Sequence, residues 1–267
     1  MLKLTSKNHF IQDLLDVLPL LGTIIYWART DLIVRYRATY FGPLWMSIGI
    51  GMGSIGLGIF WSALWNIPAS TMVPSVTIGF LSWNMISGII SEAPNLIRQK
   101  SQLLSTNNIP LSFLVLNMIT THVLNFLHGT IFIALVLIIF PNNLNTYSLL
   151  IIPNFVLVLI FLVSTSHLFM LYGAKYADFA ALTSTLMPLV FFISPVVFRL
   201  DQAAGIRQIM ILNPLTHLIT LIRNPLEGIP TPAESYFAST ILLTCLFAIS
   251  FLKGRKQNLK NELQWIL

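Results

Sequence analysis

From Leu44 to Trp65 the sequence carries no charged side chain. A run of about 20 mostly apolar residues is what a helix needs to cross the hydrocarbon core of a bilayer. Six runs meet that requirement, at roughly 44–65, 74–96, 112–140, 149–172, 181–198 and 236–252. The third is long enough to tilt or to extend beyond the lipid, and the fifth is short and interrupted by Pro188 and Pro195. The pattern predicts an all-α membrane protein with six transmembrane helices, in one membrane domain covering residues 1–267.

Composition points the same way. Hydrophobic residues make up 55% of the chain and charged residues 9%, against about 25% charged in a soluble protein. Such a chain cannot cover a water-facing surface. The net charge of +6 then reflects topology, because Lys and Arg gather in cytoplasmic loops. Of the 15 basic residues, only Arg199, Arg207 and Arg223 fall between spans of the outer parity. Both termini are therefore expected in the cytoplasm. No segment alternates basic and aromatic residues along a soluble surface, so nucleic acid is not an expected partner. The lone Cys245 supports neither a disulfide framework nor a thiolate metal site. Residues 1–21, with Lys3, Lys7, Asp13 and Asp16, do not form a cleavable signal.

Residues 10–40 are too charged to span lipid, yet rich in apolar residues. At helical spacing Ile25, Leu32, Tyr36 and Tyr40 line a stripe, with Thr30, Asp31, Val34, Arg35 and Arg37 on the remainder. Arg29 falls inside the stripe and must snorkel. Asp31 and Arg35 are four apart and able to pair. An amphipathic helix lying in the cytoplasmic interface fits this pattern, ended by the turn at Gly42-Pro43. Two roles suit the cluster of Arg29, Asp31, Arg35 and Arg37. One is an anchor on lipid phosphates, the other a platform for a cytoplasmic partner. Arg98 and Lys100, in the next loop on that side, read as a topology signal or as a second contact.

Within the spans, Asn117, Thr121, Asn125 and His128 form one face of the third. That face suits either interhelical hydrogen bonds or a polar wall along a path. Glu92 lies near the cytoplasmic end of the second span, where Arg98 is an available partner. Gly49 and Gly53 in the first span are a small-xxx-small pair that permits close helix contact. Trp45, Trp61, Trp65, Trp83, Phe191, Phe192 and Phe198 are either interface-belt residues or faces on which sugar rings stack. Between the fifth and sixth spans, "IRQIMIL" and "PLTHLITLI" are apolar runs separated by Asn213-Pro214. Asn213 caps a helix that starts at Pro214. Two short re-entrant helices dipping back into the membrane fit better than an exposed loop, with their junction needing protein or water around it. The nine acidic residues are scattered, and neither G-x-S-x-G nor H-E-x-x-H occurs. No catalytic residue and no metal site is expected, which weighs against a membrane-embedded transferase acting on lipid-linked sugars.

The stretch "RTDLIVRYRATYFGPLW", residues 29–45, resembles the opening motif of ABC-2 type exporter permeases, where a charged helix precedes "LGPLW" and the first span. "LSWNMISGIISEAPNLIRQKSQLLSTNNIPLSFLVLNMI" is similar to that family's second span, its cytoplasmic loop and the start of its third span. "FFISPVVF" followed by "ILNPLTHLITLIRNPLEG" resembles the fifth span and the extracytoplasmic segment after it. Order and spacing agree over nearly the whole chain, and the resemblance is nearest to the polysaccharide branch. The stretch "KYADF" departs from the family's basic-acidic pair after span four, and "NELQWIL" departs from its usual ending.

The resemblance implies a homodimer in the bacterial inner membrane, working with two copies of a cytoplasmic ATPase subunit. The chain has no G-x-x-x-x-G-K-[ST] loop, so ATP and Mg are expected on that partner and no cofactor on this chain. Arg29, Asp31, Arg35, Arg37, Arg98 and Lys100 become the candidates for ATPase contact. Trp45, Trp61, Trp83, Phe191, Phe192, Phe198, Asn117 and Asn125 become candidates for the glycan path. Asn213, Pro214, Arg207 and Arg223 become candidates for its outer gate. The implied cargo is a lipid-linked polysaccharide of the O-antigen kind, with teichoic acid, capsule or a small drug or lipid as alternatives. A rigid N-terminal helix joined to the first span through Gly42-Pro43 would pass motion into the membrane.

Overall fold

The computed structural model describes residues 13, 15–35, 37, 39, 40, 42, 44–106, 109–141, 145–200, 202 and 205–256. Tyr36, Pro43 and the tail from 257 lie outside them. The described residues contain helices and no strand. In chain order the helices are α1 (Leu21–Arg35), α2 (Leu44–Trp65), α3 (Ala69–Glu92), α4 (Leu96–Gln99), α5 (Ser101–Thr106), α6 (Leu111–Ile139), α7 (Ile151–Lys175), α8 (Ala177–Ile193), α9 (Arg207–Leu212), α10 (Pro214–Leu226) and α11 (Ala233–Lys256). Single 3-10 turns precede α1 (Leu18–Leu20) and α7 (Thr146–Leu150), and another (Ala93–Asn95) joins α3 to α4.

α3 is the centre of the bundle. Among its buried residues are Met72, Val76, Ile78, Ile86 and Ile89, and α2, α6, α7, α8 and α10 all pack on it. The other long helices keep exposed apolar faces, with Met52 and Phe60 on α2, Ile131 and Ile138 on α6, and Ile152 and Ile160 on α7. In a soluble protein such faces would be a liability. Here they are the lipid-facing surface that a mean hydropathy of +0.79 demands.

Two close approaches need glycine. A Cβ on Gly173 of α7 would run into the carbonyl of Pro94, and one on Gly79 of α3 into that of Val196. The small-xxx-small pair behaves otherwise, since nothing lies within 4 Å of a Cβ at Gly49 or Gly53. The near contacts of α2 are at Gly51, against Phe132, and at Gly58, 2.8 Å from Val73 Cα.

Six stretches are long and apolar enough to cross a membrane: Leu15–Arg35, Ser47–Trp65, Ala69–Gln99, Leu111–Ile139, Thr146–Lys175 and Ala233–Ser250. The six-helix expectation thus holds in number, with one exchange. The expected fifth span, 181–198, is realised as α8, of 17 residues. At 1.5 Å per residue α8 is about 25 Å long, short of the roughly 30 Å core. It stops early because Pro195 forces Ser194 into extended backbone, φ −95° and ψ 144°.

The stretch that qualifies instead, Leu15–Arg35, does not stand across the bundle. Asp13, just before it, bonds to Ser112 at the start of α6, and Asp31, near its end, meets Lys100. Ser112 and Lys100 sit at one level, each two to three turns beyond the contact of His122 with Glu92. A helix tied at both ends to one level lies along that end of the bundle. This is the interface orientation that the sequence predicts, with a different buried stripe. Val17, Ile24, Ala28 and Leu32 face inward, while Ile25, Tyr26 and Tyr40 are exposed. Leu32 belongs to both stripes, and the buried face continues toward Val17 through Ala28 and Ile24 rather than through Ile25.

The opposite end of the bundle is closed by α9 and α10. Asn145 donates to Gly228 O at 2.8 Å, and Arg207 pairs with Glu234 at 2.6 Å. Both ends of residues 207–228 are thereby held at the level where α7 and α11 begin. The segment dips in and returns, as the two apolar runs predict.

Candidate functional site

The end that carries α1 is a basic platform. Arg29, Arg35, Arg37 and Arg98 are exposed on it. Asp31 turns to Lys100 at 3.8 Å, tying α1 to the loop between α4 and α5. The sequence offered Arg35 as that partner. All six ATPase-contact candidates thus share one end of the molecule, on two elements 60 residues or more apart in sequence.

Glu92 sits at the inner edge of this platform. Its carboxylate meets His122 Nε2 at 2.9 Å, not Arg98. Arg35 and Lys100 stand within electrostatic range of it. The pair joins α3 to α6, and Gly88 lets the imidazole lie against α3, where a Cβ would come 2.6 Å from His122 Cε1. Next to it is a cavity of about 30 Å³ lined by Ser47, Asn84, His122 and Asn125 with Ile50, Leu81, Met85 and Phe126. That is room for one water molecule. Of the polar face read in α6, Asn125 borders this cavity and Asn117 is buried. Thr121 and His128 bond back to Asn117 O and Leu124 O of their own helix.

The aromatic candidates separate into three groups. Trp83 is buried on α3 and Phe191 of α8 meets it edge-on at 5.5 Å, with Phe192 exposed beside it at 5.5 Å from Phe191. Trp61 and Trp65 lie 4.5 Å apart with their rings tilted by 38° near the end of α2, and Phe198 meets Trp65 edge-on at 6.4 Å. Trp45 is exposed at the start of α2, close to the basic platform.

At the closed end, Asn213 caps α10 as its sequence predicts. Its Oδ1 accepts from Leu215 N at 3.0 Å, and its Nδ2 donates to Ser194 Oγ at 2.8 Å. Pro214 opens the helix. Arg207 is exposed and paired with Glu234. Arg223, an outer-gate candidate by its place in the sequence, is buried rather than at the surface. It is 2% exposed, and its Nη1 donates to Pro195 O at 2.7 Å and Phe198 O at 3.0 Å. Glu227 lies 4.0 Å from Arg223 and 3.5 Å from Arg199, completing an ion cluster under the turn after α8.

Sequence reasoning passed over Asp13, whose carboxylate accepts from Ser112 N at 2.7 Å. A signal was present. The helix cap at Pro110 has no side-chain acceptor, so the first N–H groups of α6 need one from elsewhere. His122 as partner of Glu92 was equally unmarked, since the two are 30 residues apart.

Protein-family models give no match for the chain. A curated relative does. The chain is 24% identical over 205 residues to the O-antigen export system permease protein RfbA of Myxococcus xanthus, covering 74% of this chain and 78% of that protein. The resemblance to ABC-2 exporter permeases carried by the sequence motifs is thereby supported.

Proposed function

We infer that this chain, an ABC-2 type exporter permease of the O-antigen export kind, is the membrane-spanning subunit of an ATP-driven exporter for lipid-linked polysaccharide. Two copies form the path, and each engages a separate cytoplasmic ATPase subunit. The platform of α1 and α4 faces the cytoplasm of a bacterial inner membrane, with both termini on that side. The observation that carries this reading is the exposed set Arg29, Arg35, Arg37 and Arg98 on one end of the bundle. A lipid anchor would need its cations in the headgroup layer. Here Arg29 and Arg35 belong to a helix pinned to the protein, Arg37 follows it in a turn and Arg98 stands on α4, so two elements together offer guanidinium groups to carboxylates and carbonyls of a partner.

Cargo moves without bond chemistry on this chain. The pyrophosphate of a lipid carrier meets the basic end. ATP bound and hydrolysed on the partner shifts α1. The closed end opens when the turn after α8 parts from α9 and α10. The glycan passes aromatic faces such as those of Phe192 and Trp65, which suit the C–H surfaces of sugar rings.

The test is ATP hydrolysis and retained ATPase in a purified complex, comparing the native chain with Arg35→Glu plus Arg37→Glu. The expected result is a loss of association of about tenfold or more, with the coupled activity. Unchanged binding and activity would return the cluster to a lipid anchor. Accumulated lipid-linked glycan in a deletion strain identifies the cargo.

A further inference from the structure

The sequence suggests that α1 passes motion through Gly42 into the first span. The contacts run elsewhere. α1 ends at Arg35, and of the described residues after it Arg37 lies in a turn, Tyr40 in a bend and Gly42 in a turn at φ +53°. A non-helical joint of this kind transmits tension, but it carries neither thrust nor rotation. α1 has no extended contact with α2 among the described residues. Its packing partner is α6.

Three independent features hold α1 to α6. Val17, Ile24, Ala28 and Leu32 bury one face of the segment against the bundle, where α6 is the long helix that α1 packs on. Trp27 meets Phe113 edge-on at 5.6 Å. Asp13 places its carboxylate at the start of α6, accepting from Ser112 N at 2.7 Å. The first N–H groups of a helix have no intrahelical partner, and a side-chain oxygen placed there satisfies one of them. Since Pro110 provides no cap of its own, Asp13 supplies it from 99 residues away. Asp31, bonded to Lys100, holds the other end of α1 to the segment leading into α6.

We propose that α1 drives the third span, α6, rather than the first, and that Asp13 is the positioning residue that locks the two into one body. The drive rests on the reading of α1 as the docking helix, whereas the lock is a property of this chain alone. α6 then carries a displacement inward. Ten residues past Ser112, about 15 Å along the helix, His122 meets Glu92 of the central α3. A shift of the first turn of α6 is felt there and at Asn125 beside the cavity.

The experiment uses the full chain in a Cys245→Ser background, with spin labels at exposed positions on α1, α6 and α2 through Tyr26→Cys, Leu127→Cys and Met52→Cys. In the isolated chain in lipid nanodiscs, the Tyr26–Leu127 separation should be narrowly distributed in the native sequence and in Asp13→Asn, which keeps an acceptor for Ser112. It should lose that narrow distribution in Asp13→Ala. An unaffected distribution in Asp13→Ala would overturn the lock. With the co-purified ATPase cycling on ATP, the α1–α6 separation should stay constant while α1–α2 changes. A changing α1–α6 separation, or two fixed separations, would overturn the drive. Asp13→Ala should retain its ATPase, because the docking face is untouched, and should lose the nucleotide-dependent change at α6. Failure of the native chain to hold any ATPase would sink the docking reading and leave the isolated-chain result to decide the lock.

Discussion

Replacing Arg223 tests how the closed end is held. The residue is 2% exposed, and its Nη1 serves two carbonyls, Pro195 O at 2.7 Å and Phe198 O at 3.0 Å. Both belong to the turn after α8, where Pro195 has already ended the helix. In Arg223→Met these acceptors lose a charged donor. Bonds to charged groups contribute about 1.5–3 kcal/mol each. Glu227, whose side chain is 4% exposed, keeps Arg199, at 3.5 Å, as its cation among the described residues. Breaking a buried charged arrangement from one side costs about 3–5 kcal/mol, and partial relaxation of the turn keeps the total near that range. For a chain of this size the loss lowers the thermal midpoint by about 8–15 °C. The assay is thermal unfolding in detergent followed by circular dichroism. Arg223→Lys should recover part of the shift, since one ammonium can reach one carbonyl but cannot span both in a fixed fork. Adding Glu227→Gln to Arg223→Met should recover another part by removing the stranded charge. A midpoint within about 2 °C of native for Arg223→Met would refute the argument and return Arg223 to a surface role.

Two further outcomes follow from close contact and burial. Gly173→Ala drives a methyl into the Pro94 carbonyl and should cost about 1–3 kcal/mol, while Gly49→Ala, with open space around it, should be neutral or stabilise α2 by up to about 1 kcal/mol in the same melts. Burial pushes the Asp13 carboxyl up from its ordinary value of 3.8, against the lowering effect of its bonds to Ser112. The folded state therefore binds that proton more tightly than the unfolded one. Its stabilising contribution is complete below pH 3.8 and is lost as pH rises through the folded value. Asp13→Asn imitates the protonated form, so native and variant should melt alike near pH 4, and the variant should gain on the native chain toward pH 7. A gap that shrinks over that interval would reverse the assignment.

Much of this architecture was legible in the sequence, for a physical reason. Lipid leaves no choice to an apolar run of sufficient length, so α2, α3, α6, α7 and α11 fall where hydropathy puts them. Asn213-Pro214 reads as a cap because its signal is local, an acceptor followed by a residue with preset φ. Arg29, Arg35, Arg37 and Arg98 read as surface cations because desolvating them has no compensation in a bare helix. Local chemistry was less informative where long-range partners decide. Arg223 looks like any basic residue beside a membrane, and only the turn at Pro195 and Phe198 makes it a buried strut. Pro195 also ended α8 at Ile193, so the short span read at 181–198 lies at Ala177–Ile193 instead.

What the sequence by itself determined is therefore the class and the unequal charge of the two ends. These are the all-helical membrane bundle, the basic end with its interfacial helix, the re-entrant pair, and the kinship those motifs carry. Only the tertiary structure decided which elements act together. Hydropathy and charge are sums along the chain, and they are blind to partners 30 or 99 residues away. That α1 is pinned to α6 through Asp13 and that Arg223 faces inward are settled by which backbone groups lack a partner when the helices come together, and that His122 and not Arg98 meets Glu92 by the packing of α6 on α3. An unsatisfied N–H or carbonyl in a lipid-surrounded bundle is too costly to leave, and the side chains that reach it take their roles from that need.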